Sequence, residues 1–378
     1  MIRPFDLSID QADLDVLSRR LSEVRWPEKE TVDDWSQGVP LAQAKELCDY
    51  WCNTYDWRRC ERMLNGWGQF KTEIDGLDIH FLHIKSHEPD ALPLLLTHGW
   101  PGSIIEFAKV IGPLTDPAAH GGKASDAFDL VIPSIPGYGF SGRPGDQSWG
   151  VDHIASAWIT LMRRLGYRRF VAQGGDWGSA ITTELAIQRP PECVAIHLNM
   201  PLAFPPPPDT PGLTPEEVKA AQDHIDFVTT GTGYSLLQGT RPQTIGYALV
   251  DSPMGQATWI YEKFKAWADC AETPQASFGW DALLDNIMLY WLMGNGASAG
   301  RLYWQSAHAS FTDTRKVTLP TGCSIFPREM LRPSRRMVAE RYTNLVYWNE
   351  LPCGGHFAAM EQPGLFVDEM RTYFRQFR

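Results

Sequence analysis

The chain has 378 residues, 43% of them apolar and 12% aromatic, and a formal net charge of −11. That length and apolar fraction suffice for one large domain with an insertion, or for two domains. The negative balance argues against nucleic acid and anionic membrane surfaces as partners.

No run approaches the roughly 18 uncharged apolar residues that span a bilayer, and Met1-Ile2-Arg3-Pro4-Phe5-Asp6 lacks an apolar signal-peptide core. A soluble, cytoplasmic protein is expected. The seven cysteines form no disulfide framework. Cys48, Cys52 and Cys60 have no nearby histidine to complete a zinc site, so reduced structural thiols and no metal are expected.

Residues 1–70 read as helical and loop-rich, with tryptophans at 26, 35, 51, 57 and 67. Leu14, Leu17 and Leu21, then Leu47, Tyr50 and Trp51, fall at helical spacing. No strand is legible there, and the segment is expected to pack its aromatics onto the main body. From Thr72 the pattern changes to period two, predicting a hairpin over 72–83 that turns at Asp75-Gly76. Apolar runs at 92–96, 128–132 and 170–172 are separated by helix-length segments. They predict a mostly parallel sheet covered on both faces, an α/β fold with residues 71–200 as its first part.

The loop after the 92–96 run reads Thr97-His98-Gly99-Trp100-Pro101-Gly102-Ser103. Pro101 has no N–H, so the Trp100 amide is the donor available at this bend. Pro136-Gly137-Tyr138-Gly139-Phe140-Ser141-Gly142 matches a dinucleotide-binding glycine pattern on paper. Arg143-Pro144-Gly145 prevents the helix that pattern needs, so a tight loop at the rim of a site is expected, with no cofactor.

Gly174-Gly175-Asp176-Trp177-Gly178-Ser179 lies between a short strand and a helix. A strained strand-to-helix turn with a nucleophile at its apex is a nucleophile elbow, and small residues two positions either side of the apex suit its tightness. Here the apex is an aspartate. A hydroxyl attacking saturated carbon would leave an inert ether, whereas a carboxylate leaves an ester that activated water can cleave. The elbow therefore points to displacement at an epoxide or an alkyl halide.

After residue 201 the alternation breaks. Pro205 to Pro208 read as extended polyproline, and a helical block follows to 309, with segments at 253–267 and 280–293. Residues 201–309 are expected to form a cap inserted into the sheet, and 310–378 the second part of the core. Strand signals return at 322–326 and 345–348. Glu329 directly follows the first of these, and His356, in Cys353-Gly354-Gly355-His356-Phe357, follows the second. The order nucleophile, acid, histidine makes Glu329 the partner that orients His356, and His356 the base that activates water. The amides of Trp100 and Trp177 would bind the charge that develops on the Asp176 ester.

Together the Asp176 elbow, the Trp100 loop, the Gly137 loop and the His356 segment resemble the epoxide hydrolases of the α/β-hydrolase superfamily. The likeness is to the microsomal and fungal branch with an extra N-terminal region. Arg3-Pro4-Phe5, Arg25-Trp26-Pro27, Thr240-Arg241-Pro242 through Asp251-Ser252-Pro253, and Glu262-Lys263-Phe264 with Trp267 extend it over nearly the full chain. The resemblance implies an α/β-hydrolase fold with an inserted helical cap and an N-terminal extension over 1–70. It implies Asp176 as nucleophile, His356 as base and Glu329 as acid, with Tyr234 and Tyr303 binding the epoxide oxygen. It further implies a small-molecule epoxide substrate, no cofactor, and an N-terminal region that in relatives can contribute to homodimers. Microsomal enzymes begin with a membrane anchor, and the expectation of none here departs from that pattern and fits a soluble protein. A haloalkane dehalogenase shares the aspartate elbow, and a non-catalytic relative could hold an apolar ligand in the same pocket. The phenol pair argues against the first and the intact triad against the second.

Overall fold

The structure, a computed structural model, describes residues 1–270 and 272–378. Among the described residues nine strands form one sheet: β1 Arg3–Pro4, β2 Gln69–Ile74, β3 Leu77–Ile84, β4 Leu92–Thr97, β5 Phe128–Pro133, β6 Phe170–Gly174, β7 Cys193–Leu198, β8 Thr321–Ile325 and β9 Leu345–Glu350. Their spatial order is β1-β2-β3-β5-β4-β6-β7-β8-β9. The pairs from β1 to β5 are antiparallel, and all others are parallel. This is the expected α/β-hydrolase architecture.

The central strands are buried because helices cover them. Every residue of β6 is buried, and the helix Trp177–Gln188 packs against β4, β6 and β7. The C-terminal helix Pro363–Phe374 sets Phe374 against Phe128 of β5 and His197 of β7. The β2–β3 hairpin turns where expected, with positive φ at Asp75 and Gly76.

The N-terminal region departs from expectation in one respect. Arg3–Pro4 adds a strand to the sheet edge, paired with Phe70 and Lys71. A two-residue strand shows no alternation to read, and proline is tolerated at an edge because nothing there needs its N–H. The rest of the region forms the helices Gln11–Ser22, Leu41–Asn53 and Trp57–Asn65. These meet the inserted helices as well as the sheet edge. Tyr50 stacks on Trp280 at 6.0 Å, and Asp285 accepts hydrogen bonds from the Tyr55 hydroxyl and from Arg59.

Between β7 and β8 the helices run from Pro215–Asp226 to Gly296–Thr312, so the helical block extends slightly past residue 309. Those beginning at Pro215, Pro242, Pro253 and Pro274 each open on a proline, whose fixed φ suits the first helical position and whose missing N–H costs nothing there.

Candidate active site

Asp176 has φ 53° and ψ −127°, the strained backbone of an elbow between β6 and the helix that Trp177 opens. The close packing explains its glycines. A Cβ on Gly174 would lie 2.1 Å from the Gly178 carbonyl oxygen, and one on Gly178 would lie 1.9 Å from that of Thr97. Only hydrogen fits at either position.

Three chain segments converge on the Asp176 carboxylate. From the loop after β4, the Trp100 amide donates to Oδ1 at 2.8 Å. From the loop after β9, His356 Nε2 lies 3.4 Å from Oδ2. Behind it, from the loop after β8, Glu329 accepts from His356 Nδ1 at 2.9 Å and also from the Met330 amide. His356 is fixed from its other side by its amide, which donates to the Trp267 carbonyl. Burial alone would favour the neutral ring. The carboxylates of Glu329 and Asp176 outweigh it and hold the imidazole pKa well above its ordinary value.

Tyr234 and Tyr303, on the inserted helices, reach the same place. Their rings are 5.8 Å apart. Tyr234 stacks on Trp100 at 4.9 Å, and Tyr303 stands edge-on to Trp177 at 4.8 Å. Burial, then the Asp176 charge, pushes the Tyr234 phenol far above its usual range. Burial does the same for Tyr303. Both stay protonated. The Tyr303 hydroxyl is buried with no hydrogen-bond partner among the described residues. Both rings line a cavity of about 380 Å³ together with Asp176, Trp177, Phe204 and Phe311.

Residues that had no assigned part in the sequence turn out to position these groups. Asn286 and Tyr290, on the helix Trp280–Met293, donate to the carbonyls of Pro101 and Gly102 and so hold the Trp100 loop. The glycine-rich loop after β5 docks the helix that carries Tyr303: Ser298 and Asn295 donate to the Gly137 and Gly139 carbonyls, and the Tyr138 hydroxyl to that of Ala299. Lys263 puts its ammonium 4.6 Å from the centre of the Tyr234 ring. In sequence, Tyr290 is indistinguishable from core packing and Lys263 from an exposed helix cation. Only the three-dimensional contacts single them out.

Residues 2–107 match the family model described as epoxide hydrolase N terminus, and 93–227 that of the alpha/beta hydrolase fold. A Stigmatella aurantiaca protein bearing an epoxide hydrolase name is 54% identical over 100% of this chain and 86% of its own. Epoxide hydrolase 1 of Sus scrofa is 35% identical over 98% of this chain and 88% of its own. The chain belongs to the epoxide hydrolase family. The Aspergillus niger epoxide hydrolase structure superposes on it with a TM-score of 0.88 at 31% identity, covering 100% of this chain and 96% of that one. Among the described residues no helix of this family member is long and apolar enough to cross a membrane, and no group of three or more His, Cys, Asp or Glu could hold a metal.

Proposed function

We propose that the protein hydrolyses an apolar epoxide to a vicinal diol through an ester on Asp176. The observation that carries this reading is the cavity wall: one carboxylate at a strained elbow, faced by two protonated phenols.

In the first half-reaction the Trp100 amide holds Oδ1, and Oδ2 attacks a ring carbon. The ring C–O bond breaks, the leaving alkoxide takes a proton from Tyr303 or Tyr234, and the resulting phenolate regains a proton from the His356 imidazolium, which leaves that ring neutral. An alkoxide is a far stronger base than a phenolate, so even a phenol with a raised pKa can give up its proton to it. In the second half-reaction His356 takes a proton from water while the water oxygen bonds to the Asp176 carbonyl carbon. The Trp100 and Trp177 amides stabilise the tetrahedral charge. Collapse breaks the ester C–O bond, the proton on the added hydroxyl passes to the departing oxygen to complete the diol, and the carboxylate is restored beside the protonated ring. Glu329 keeps the neutral His356 in the tautomer that presents Nε2.

Met200, Phe204, Phe311 and Leu331 give the cavity an apolar lining, which supports an apolar substituent on the substrate. Residues 201–309 act as the cap over this cavity, 71–200 and 310–378 as the core, and 1–70 as an extension that braces both. Such an enzyme works in the cytoplasm, with the N-terminal extension available for a homodimer contact.

Assays on styrene oxide and on a bromoalkane test the reaction class. Diol release without bromide release is expected. Bromide with no diol would move the activity to dehalogenation.

A further inference from the structure

Asp176 borders two cavities and is the one residue common to their linings. The second is small, about 10 Å³, and polar, lined among others by Thr97, Glu106, Gln173, Asn199 and His356. That volume is about what one water molecule needs, and a water held in protein wants two to four polar partners. Two such partners are present. Thr97 Oγ1 and Gln173 Oε1 are buried and have no hydrogen-bond partner among the described residues. Gln173 spends its amide N–H on Asn199 Oδ1, which leaves its oxygen for the cavity. Polar atoms this deep are almost always satisfied, by protein or by ordered water.

The third partner is a carboxyl. Glu106 lies in the short helix Ile104–Phe107 that follows the Trp100 loop. Burial pushes its pKa up to about 8, against the nearby His356 and the amides of Gly99 and Ser103, which pull it down. Near neutral pH it carries a proton, so it can both donate to water and accept from it.

We propose that this cavity seats the hydrolytic water, and that Glu106, with Thr97 and Gln173, positions it for His356 on the face of Asp176 away from the substrate. The assignment rests on the aspartyl-ester reading above. It adds a separate address for water, distinct from the cavity that takes the epoxide. The water oxygen bonds to the ester carbon of Asp176 and its proton passes to His356 Nε2. Glu106 exchanges no proton in the step and is a positioning residue.

Single-turnover rapid mixing of styrene oxide with the full-length enzyme, reading ester formation and ester decay separately, tests this. Glu106→Leu should slow ester decay about tenfold or more, as expected when a buried hydrogen-bonding partner is lost, with ester formation little changed. Unaltered ester formation also reports an intact fold. Glu106→Gln keeps a neutral donor and acceptor and should restore most of the decay rate. Thr97→Val should slow decay in the same selective way. Equal slowing of both steps by Glu106→Leu, no slowing of decay, or a Gln variant as impaired as the Leu variant would overturn the assignment. His356→Gln serves as the reference. Ester that accumulates there but not in Glu106→Leu overturns the water site alone, whereas ester in neither overturns the aspartyl-ester reading and the water site with it.

Discussion

On the side of the inserted helices, Asp176 faces an apolar cavity of about 380 Å³ with two phenols in its wall, whereas on the side of the sheet it faces an imidazole–carboxylate pair and a polar cavity of about 10 Å³. The two environments suit opposite requirements. Ring opening needs a proton donor and few competing waters, and a low-polarity wall strengthens the phenols' interaction with developing charge. Ester cleavage needs one water and a base. Asp176 sits on the wall between them, and under the proposed scheme this one carboxylate would serve both.

That contrast predicts which half-reaction each side chain controls, and each prediction can be broken separately. The largest effect belongs to the wall itself. Asp176→Ala should abolish ester formation and lower turnover by roughly 10⁴-fold or more, and intact-protein mass spectrometry should find no adduct. Retained turnover would remove the covalent scheme. Next comes the sheet side. His356→Gln should leave ester formation largely intact but slow decay by about 10³-fold or more, so a stable adduct on Asp176 should be isolable. A variant slowed equally in both steps would blur the division.

Smaller losses are expected on the other side. Tyr303→Phe should slow ester formation by about 10²-fold, within the usual range for general acid catalysis, and leave ester decay nearly unchanged. Rapid-mixing kinetics showing decay as the impaired step would take Tyr303 out of the donor role. The smallest effect is on stability. The raised His356 pKa stabilises the fold fully below the unfolded imidazole value of about 6.5, and this contribution is lost as pH rises through the raised folded value. Glu329→Gln should lower the His356 pKa, seen by NMR titration of the ring, and flatten the pH dependence of thermal unfolding above neutral. An unchanged ring titration would contradict the Glu329 contact as its cause.

The sheet side was largely legible in the sequence. The Gly174–Gly178 spacing, the order Asp176, Glu329, His356 and the Trp100 bend each carry local constraints that a reader can test against known chemistry. The structure brings these residues together. Strand β7 was not anticipated, because Pro190-Pro191 precede it and His197 interrupts its apolar run. The phenol side was far less legible. Twelve tyrosines are chemically identical in sequence, and Tyr234 and Tyr303 could be singled out only by resemblance to a family. What distinguishes them is tertiary: stacking on Trp100 and Trp177, docking of the Tyr303 helix through Asn295 and Ser298, and the hold of Asn286 on the Trp100 loop. The hydrogen bonds among these contacts join residues separated by 156 to 185 positions, and no periodicity encodes them.

In the proposed cycle, the 3.4 Å approach of His356 Nε2 to Asp176 Oδ2 would set the timing. While the carboxylate is charged, it helps keep a proton on the imidazole, and a protonated imidazole cannot deprotonate water. Capturing a substrate erases that charge. The ring then loses one of its two anionic neighbours, its proton affinity drops, and it becomes competent for the only task left. On that scheme the nucleophile would keep its own release catalyst switched off until there is something to release.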